Sequence, residues 1–149
     1  MYLVAILALG FGILIFGFLR LKHLREQREI ETYGIEPEAL QALLAERTDV
    51  VLLDVRLPLD LLAHSEMIPG ARRIPPKEVL ENASSIPKNV DVIVYCTCAS
   101  QSTSRTILRK AQGMEFSRIR FLRGGLDGWK AKGYPVEPYD TAFHLDTAT

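Results

Sequence analysis

From Met1 to Leu19 no side chain carries a charge, so this stretch must be either enclosed by protein or placed in lipid. As a helix rising about 1.5 Å per residue it reaches on the order of 27 Å, close to the roughly 30 Å hydrocarbon core of a bilayer. A chain of 149 residues leaves room for only one ordinary domain beside it, too small a shell to bury a helix apolar on every face. Residues 1–19 are therefore expected to form a single transmembrane helix, with the lipid bilayer as its partner. A cleaved secretory signal would place a basic stretch before the apolar run and a small-x-small site after it, and neither is present. Arg20, Lys22, Arg25 and Arg28 follow the run, and by the positive-inside rule they hold the soluble part on the cytoplasmic side of the membrane. Residues 20–31, RLKHLREQREIE, alternate charge among good helix formers and read as a solvated helical stalk, in which His23 is a surface residue.

Beyond the stalk, residues 32–138 alternate short apolar runs with helical patterns. Ala39, Leu40, Leu43 and Leu44 recur at helical spacing after Pro37, which a first turn tolerates, and Thr48-Asp49 ends them. Val50 to Asp54 and Val90 to Tyr95 are mostly continuous apolar runs bounded by polar residues, the pattern of strands buried on both faces; Ile119 to Leu122 is a shorter third. A helix over Ser104–Gln112, stopped at Gly113, separates the last two. Strands alternating with helices predict an α/β fold, a parallel sheet flanked by helices and preceded by the one transmembrane helix. Residues 139–149 read as a flexible tail, with fraying expected from Glu137 onward. Lysine plus arginine equals aspartate plus glutamate at 18 each, which leaves no global field to recruit nucleic acid.

The two cysteines, Cys96 and Cys98, cannot make a disulfide framework, because side chains two apart on an extended chain point away from each other. A reactive thiol is the better reading. Ligands of parallel sheets bind at the carboxyl ends of the strands, and Cys96 stands at the end of the Val90–Tyr95 run. The following segment, Thr97, Cys98, Ala99, Ser100, Gln101, Ser102, Thr103 and Ser104, is small and polar and leads into that helix. Such a backbone can curl so that successive N–H groups face one centre, an anion cradle that would lower the thiol below its ordinary value of about 8.5. Against this stands the use of a cysteine as a small buried hydrophobe. A Cys-x-Cys metal site is weaker, since two thiolates supply half of a tetrahedral shell and no histidine pair completes it.

Five blocks in order carry a resemblance. Leu53-Asp54-Val55-Arg56 with Pro58 and Asp60 is followed by Ile68-Pro69-Gly70-Ala71 with Ile74-Pro75, and then by Tyr95-Cys96. Phe116, Ile119, Leu122, Gly124-Gly125-Leu126 and Trp129 come next, and Gly133-Tyr134-Pro135-Val136 closes the series. From about Ile35 to Pro138 the chain resembles a rhodanese-like, or sulfurtransferase, domain. That resemblance implies transfer of sulfane sulfur through a cysteine persulfide, with no metal or organic cofactor and with a sulfur donor and a thiol or protein acceptor as partners. Cys96 would be the catalytic nucleophile and Cys98 an accessory or resolving thiol, while Asp54, Arg56 and Arg105 would be supporting residues. Counting back from Phe116 instead would put Cys98 in the nucleophile's place; the strand end favours Cys96. The chain departs from the family in two places. No arginine or lysine lies between Cys96 and Ser104, where rhodaneses usually close the loop with arginine, and Met67 stands where many have histidine. Two other readings stay open: a catalytically weak module that binds a membrane or sulfur-relay partner, and phosphatase or arsenate reductase-like cysteine chemistry, which would need an arginine to clamp the oxyanion.

Overall fold

The computed structural model describes residues 2–46, 49–81, 86–97, 102–113 and 116–139 and divides into two units. The first is one uninterrupted helix, α1 (Tyr2–Tyr33). Within it Leu7–Tyr33 is long and apolar enough, by length and composition, to cross a membrane. The large apolar side chains from Leu7 to Leu19 are all exposed on this unit, so nothing within it covers them. At the end of the apolar run the Arg20 guanidinium lies 5.4 Å from the centroid of the Phe16 ring, because side chains of a helix lean toward its N-terminus and meet the turn before.

The second unit begins with β1 (Gly34–Ile35) and α2 (Pro37–Glu46), then β2 (Val51–Asp54), α3 (Pro58–Ala63), β3 (Glu66–Met67), β4 (Arg72–Arg73) and α4 (Pro76–Glu81). It continues through β5 (Val92–Tyr95), α5 (Ser102–Gln112), β6 (Ile119–Leu122), α6 (Gly125–Ala131) and β7 (Glu137–Pro138). Five strands make one sheet in the order β1-β6-β5-β2-β4, and every pairing in it is parallel. The α/β parallel sheet expected from the alternating runs is therefore present.

Burial explains why the central strands read as continuous apolar runs. Val92, Ile93, Val94 and Tyr95 are all buried, and successive side chains of a strand point to opposite faces, so both faces of the sheet are covered. On one face Leu52, Ile93, Tyr95 and Leu122 pack with Leu40 of α2 and with Leu126 and Trp129 of α6. Val92 and Val94 point to the other face, where α4 and α5 pack against each other and bury Val79, Ile107, Leu108 and Ala111.

Short elements were not visible in the periodicity. β1, β4 and the antiparallel pair β3–β7 are two residues each, too brief for alternation to register. Glu137–Pro138 is paired with Glu66–Met67 rather than frayed, and the Tyr139 amide extends the contact by donating to the Ser65 carbonyl at 2.6 Å. α5 starts at Ser102, two residues before the expected start, which removes Ser102, Thr103 and Ser104 from the loop and makes them its first turn. The rest of the expected tail, residues 140–149, lies outside the described residues.

Candidate active site

Chain direction selects one end of the sheet. After β2 the chain moves outward to the edge strand β4; after β5 it crosses to the opposite side and forms β6. The connections diverge between two adjacent strands, and by the general rule for open parallel sheets the ligand crevice is expected there, at their carboxyl ends. Asp54 ends β2, Tyr95 ends β5, and the two are register partners. Cys96 is the next residue, buried, and Thr97 after it is buried too.

The backbone of Cys96 is held from the far side by α6. Its carbonyl accepts a 2.8 Å hydrogen bond from the Leu126 amide, and the Thr97 carbonyl accepts one of 3.4 Å from Asp127. This approach depends on Gly125, whose φ is +58°: a Cβ there would stand 2.2 Å from the Cys96 carbonyl oxygen. The Gly124-Gly125 pair of the sequence is thus a site of close backbone contact. Gly125→Ala is expected to destabilise the domain by about 2–3 kcal/mol, since it combines left-handed strain with a backbone clash. Thermal unfolding would check it; a melting temperature equal to wild type would show that the Cys96 turn moves aside at no cost.

Beneath Cys96 lies a buried polar network. Arg56 donates from Nε to both Asp54 carboxylate oxygens at 2.9 Å and from Nη2 to Oδ2 at 2.5 Å, and both side chains are wholly buried. Two more guanidinium hydrogens are also used: Nη1 donates one to the His64 carbonyl and Nη2 its second to that of Glu66, each at 2.8 Å. Asp54 further accepts the Arg56 amide at 3.1 Å and the Tyr95 hydroxyl at 3.0 Å. Tyr95 in turn accepts the Ile68 amide at 3.2 Å. These bonds tie β2, β5 and the Ile68 turn together directly under the crevice. The sequence motifs mark Asp54 and Arg56 as supporting residues but give Tyr95 no role of its own. A tyrosine in an otherwise aliphatic buried strand was the available signal, because a buried phenol takes a hydrogen-bond partner.

Burial, and then the neighbouring Asp54 charge, push the Tyr95 phenol well above its ordinary value. The folded state therefore holds this proton more tightly than the unfolded chain. The resulting stability is fully present below about pH 10, the unfolded value, and is lost progressively as pH rises above it. Tyr95→Phe should cost about 1–3 kcal/mol at neutral pH, because it leaves the Ile68 amide buried and unpaired. It should also flatten the fall of melting temperature between about pH 9.5 and 11.5; parallel curves for the two proteins would remove Tyr95 from the alkaline transition.

Of the expected cradle, Thr97, Thr103 and Ser104 are described with their side chains, and Ser102 by its backbone alone. Cys98, Ala99, Ser100 and Gln101 lie outside the described residues. Thr97 and Ser104, on either side of that gap, are buried, and among the described residues the hydroxyl oxygen of each has no hydrogen-bond partner. The first-turn amides of α5 face away from any intrahelical acceptor, as at the start of every helix. Arg105 is buried in the same turn and held by a partner of its own. Together these give a fixed thiol at a strand end, a helix N-terminus close behind it in sequence and two buried hydroxyls. Such a set can hold an anion formed on sulfur.

Residues 36–132 match the family model described as "Rhodanese-like domain". A curated protein named "Sulfurtransferase" from Allochromatium vinosum is 34% identical over 102 residues, covering 68% of this chain and 92% of that protein. Among solved structures, the rhodanese-like domain of an Anabaena sp. protein is 26% identical with a TM-score of 0.59, covering 78% of this chain and 89% of that one. A rhodanese-related protein from Thermoplasma volcanium, 23% identical with a TM-score of 0.60, shares the fold over 70% of this chain and 97% of its own.

Proposed function

This chain belongs to the rhodanese-like domain family, and from that premise we propose that it is a sulfurtransferase carrying sulfane sulfur as a persulfide on Cys96 at a membrane surface. The observation that carries the reading is the position of Cys96, directly after the central strand β5 and bonded through its carbonyl to Leu126. In the first step the Cys96 thiolate attacks the sulfane sulfur of a donor; the new S–S bond forms as the donor's breaks, and the donor leaves with the electron pair. In the second, a thiolate acceptor attacks the outer sulfur, taking it and returning Cys96 as thiolate. Anionic sulfur is present at both stages, and the amides of the loop and of the first turn of α5 would stabilise it. Cys98 is close enough in sequence to act as an accessory or resolving thiol. Asp54, Arg56 and Tyr95 brace the strand ends, and Arg105 supports the turn.

No lysine or arginine lies from Thr97 to Ser104, so a thiosulfate dianion lacks a matching cation within this segment. Persulfide or polysulfide donors are the expected substrates, with thiosulfate poor. The same departure supports a second reading, a catalytically weak module that binds a sulfur-relay or membrane partner. Brief exposure to polysulfide, followed by thiol blocking and peptide mass spectrometry, separates the two. One added sulfur on the Cys96 peptide, dischargeable by a thiol acceptor, is the expected result; an unmodified Cys96 would support the binding module.

The membrane half of the reading is supported by α1 and by the four basic residues after Leu19. The full chain should sediment with membranes, resist carbonate extraction and be spared by protease added outside intact cells. Extraction by carbonate would remove the anchor, and digestion of the domain would reverse the topology.

A further inference from the structure

Outside α1, the large hydrophobic residues left exposed among the described residues are Leu57, Leu59 and Leu62, at 50, 74 and 59% exposure. All three fall in one short segment, on and just before α3, which leaves the carboxyl end of β2 beside the crevice. The pattern within the segment is inverted for a surface turn. Leu57, Leu59, Leu62 and Ala63 are its exposed positions, and every one of them is apolar, whereas its acid, Asp60, is half-buried. Scattered single leucines need no explanation; four exposed apolar residues with no polar one among them do.

We infer that this segment docks on the lipid surface of the membrane that α1 is proposed to cross, an inference that rests on the anchored reading above. Area argues against a protein partner. Three half-exposed leucines and an alanine offer on the order of 300–400 Å², about half of the roughly 800 Å² each partner contributes to a stable interface. An apolar turn of this size, whose one acid is half-buried, is instead suited to the boundary between headgroups and acyl chains. Alone it would bind lipid weakly. Here α1 and the turn belong to one chain, so for a bilayer that holds α1 the contact becomes intramolecular in effect. Docking there would turn the crevice mouth toward the lipid surface and favour sulfur carriers that reside at membranes.

The test uses the full chain with Cys96→Ser and Cys98→Ser, reconstituted in phosphatidylcholine vesicles. A single cysteine is introduced in turn by Leu59→Cys, by Phe11→Cys as a marker of insertion, and by Lys77→Cys as a water-exposed control, its side chain being 60% exposed on α4. Each carries an environment-sensitive fluorophore, read against lipids spin-labelled at shallow and deep positions. Expected are deep quenching at position 11, shallow quenching with a blue shift at 59, and neither at 77. Quenching at 11 with a water-like signal at 59 would overturn the docking and leave the anchor standing. A blue shift at 59 without lipid quenching would overturn it in favour of a protein cover, such as a second copy. No quenching at 11 would overturn the anchor and the docking with it. As a second measurement, the Leu59→Glu, Leu62→Glu variant labelled at Leu57→Cys in the same Cys96→Ser, Cys98→Ser background should lose the blue shift, while the unlabelled Leu59→Glu, Leu62→Glu variant with both native cysteines should still serve a soluble acceptor at the wild-type rate; a retained blue shift would overturn the docking.

Discussion

Cys96→Ser should lose sulfur transfer by at least about 10³-fold with the fold intact, because serine matches the size of cysteine but is a far poorer nucleophile near neutral pH. The surroundings make this a clean substitution. Cys96 is buried, its backbone is bonded to the Leu126 amide and it follows a strand whose four residues are all buried, so an added oxygen-for-sulfur change leaves every one of those contacts in place. Circular dichroism and melting temperature should therefore match wild type while turnover of a polysulfide donor disappears. Cys98→Ser, one residue beyond Thr97 in the sequence, should keep a measurable part of the activity. A dead Cys98→Ser alongside a fully active Cys96→Ser would show that the count back from Phe116 locates the nucleophile and that the strand end does not.

Asp54→Ala should cost about 3–5 kcal/mol, because it strands the Arg56 guanidinium in the interior without its counter-charge. The same change removes the acceptor of the Tyr95 hydroxyl and of the Arg56 amide. A domain of this size holds only about 5–15 kcal/mol in total, so the variant should melt at least about 12 °C lower or fail to accumulate. A double variant keeps the idea testable if the single one does not fold. Asp54→Leu with Arg56→Met removes both charges together, and it should recover much of the loss, since apolar pairs commonly replace buried ion pairs with little penalty. Melting temperature and urea midpoint are the measurements. A loss below about 1 kcal/mol for Asp54→Ala would mean that water or the His64 and Glu66 carbonyls carry the guanidinium without help.

Much of this protein is written in local pattern. The uncharged Met1–Leu19 run sets a long helix apart from everything after it, because a segment apolar on every face has no solvent side. The runs at Val51–Asp54 and Val92–Tyr95 specify doubly covered parallel strands, because both of their faces are buried and no polar alternation is needed. Cys96 could be placed at a strand end for the same reason. What local pattern could not supply is what depends on residues far apart in the chain. Two-residue strands such as Arg72–Arg73 exist only because Asp54 and its neighbours are there to pair with them. The start of α5 at Ser102 was beyond reach too, since serine and threonine favour a cap or a turn as readily as a first helical turn. Gly125 marked itself as a glycine, but only the packed structure shows that Cys96, 29 residues earlier, is what forbids it a side chain. The link from Tyr95 to Asp54 and Ile68 likewise joins three separate segments, and their meeting is decided by sheet order, which no single segment encodes.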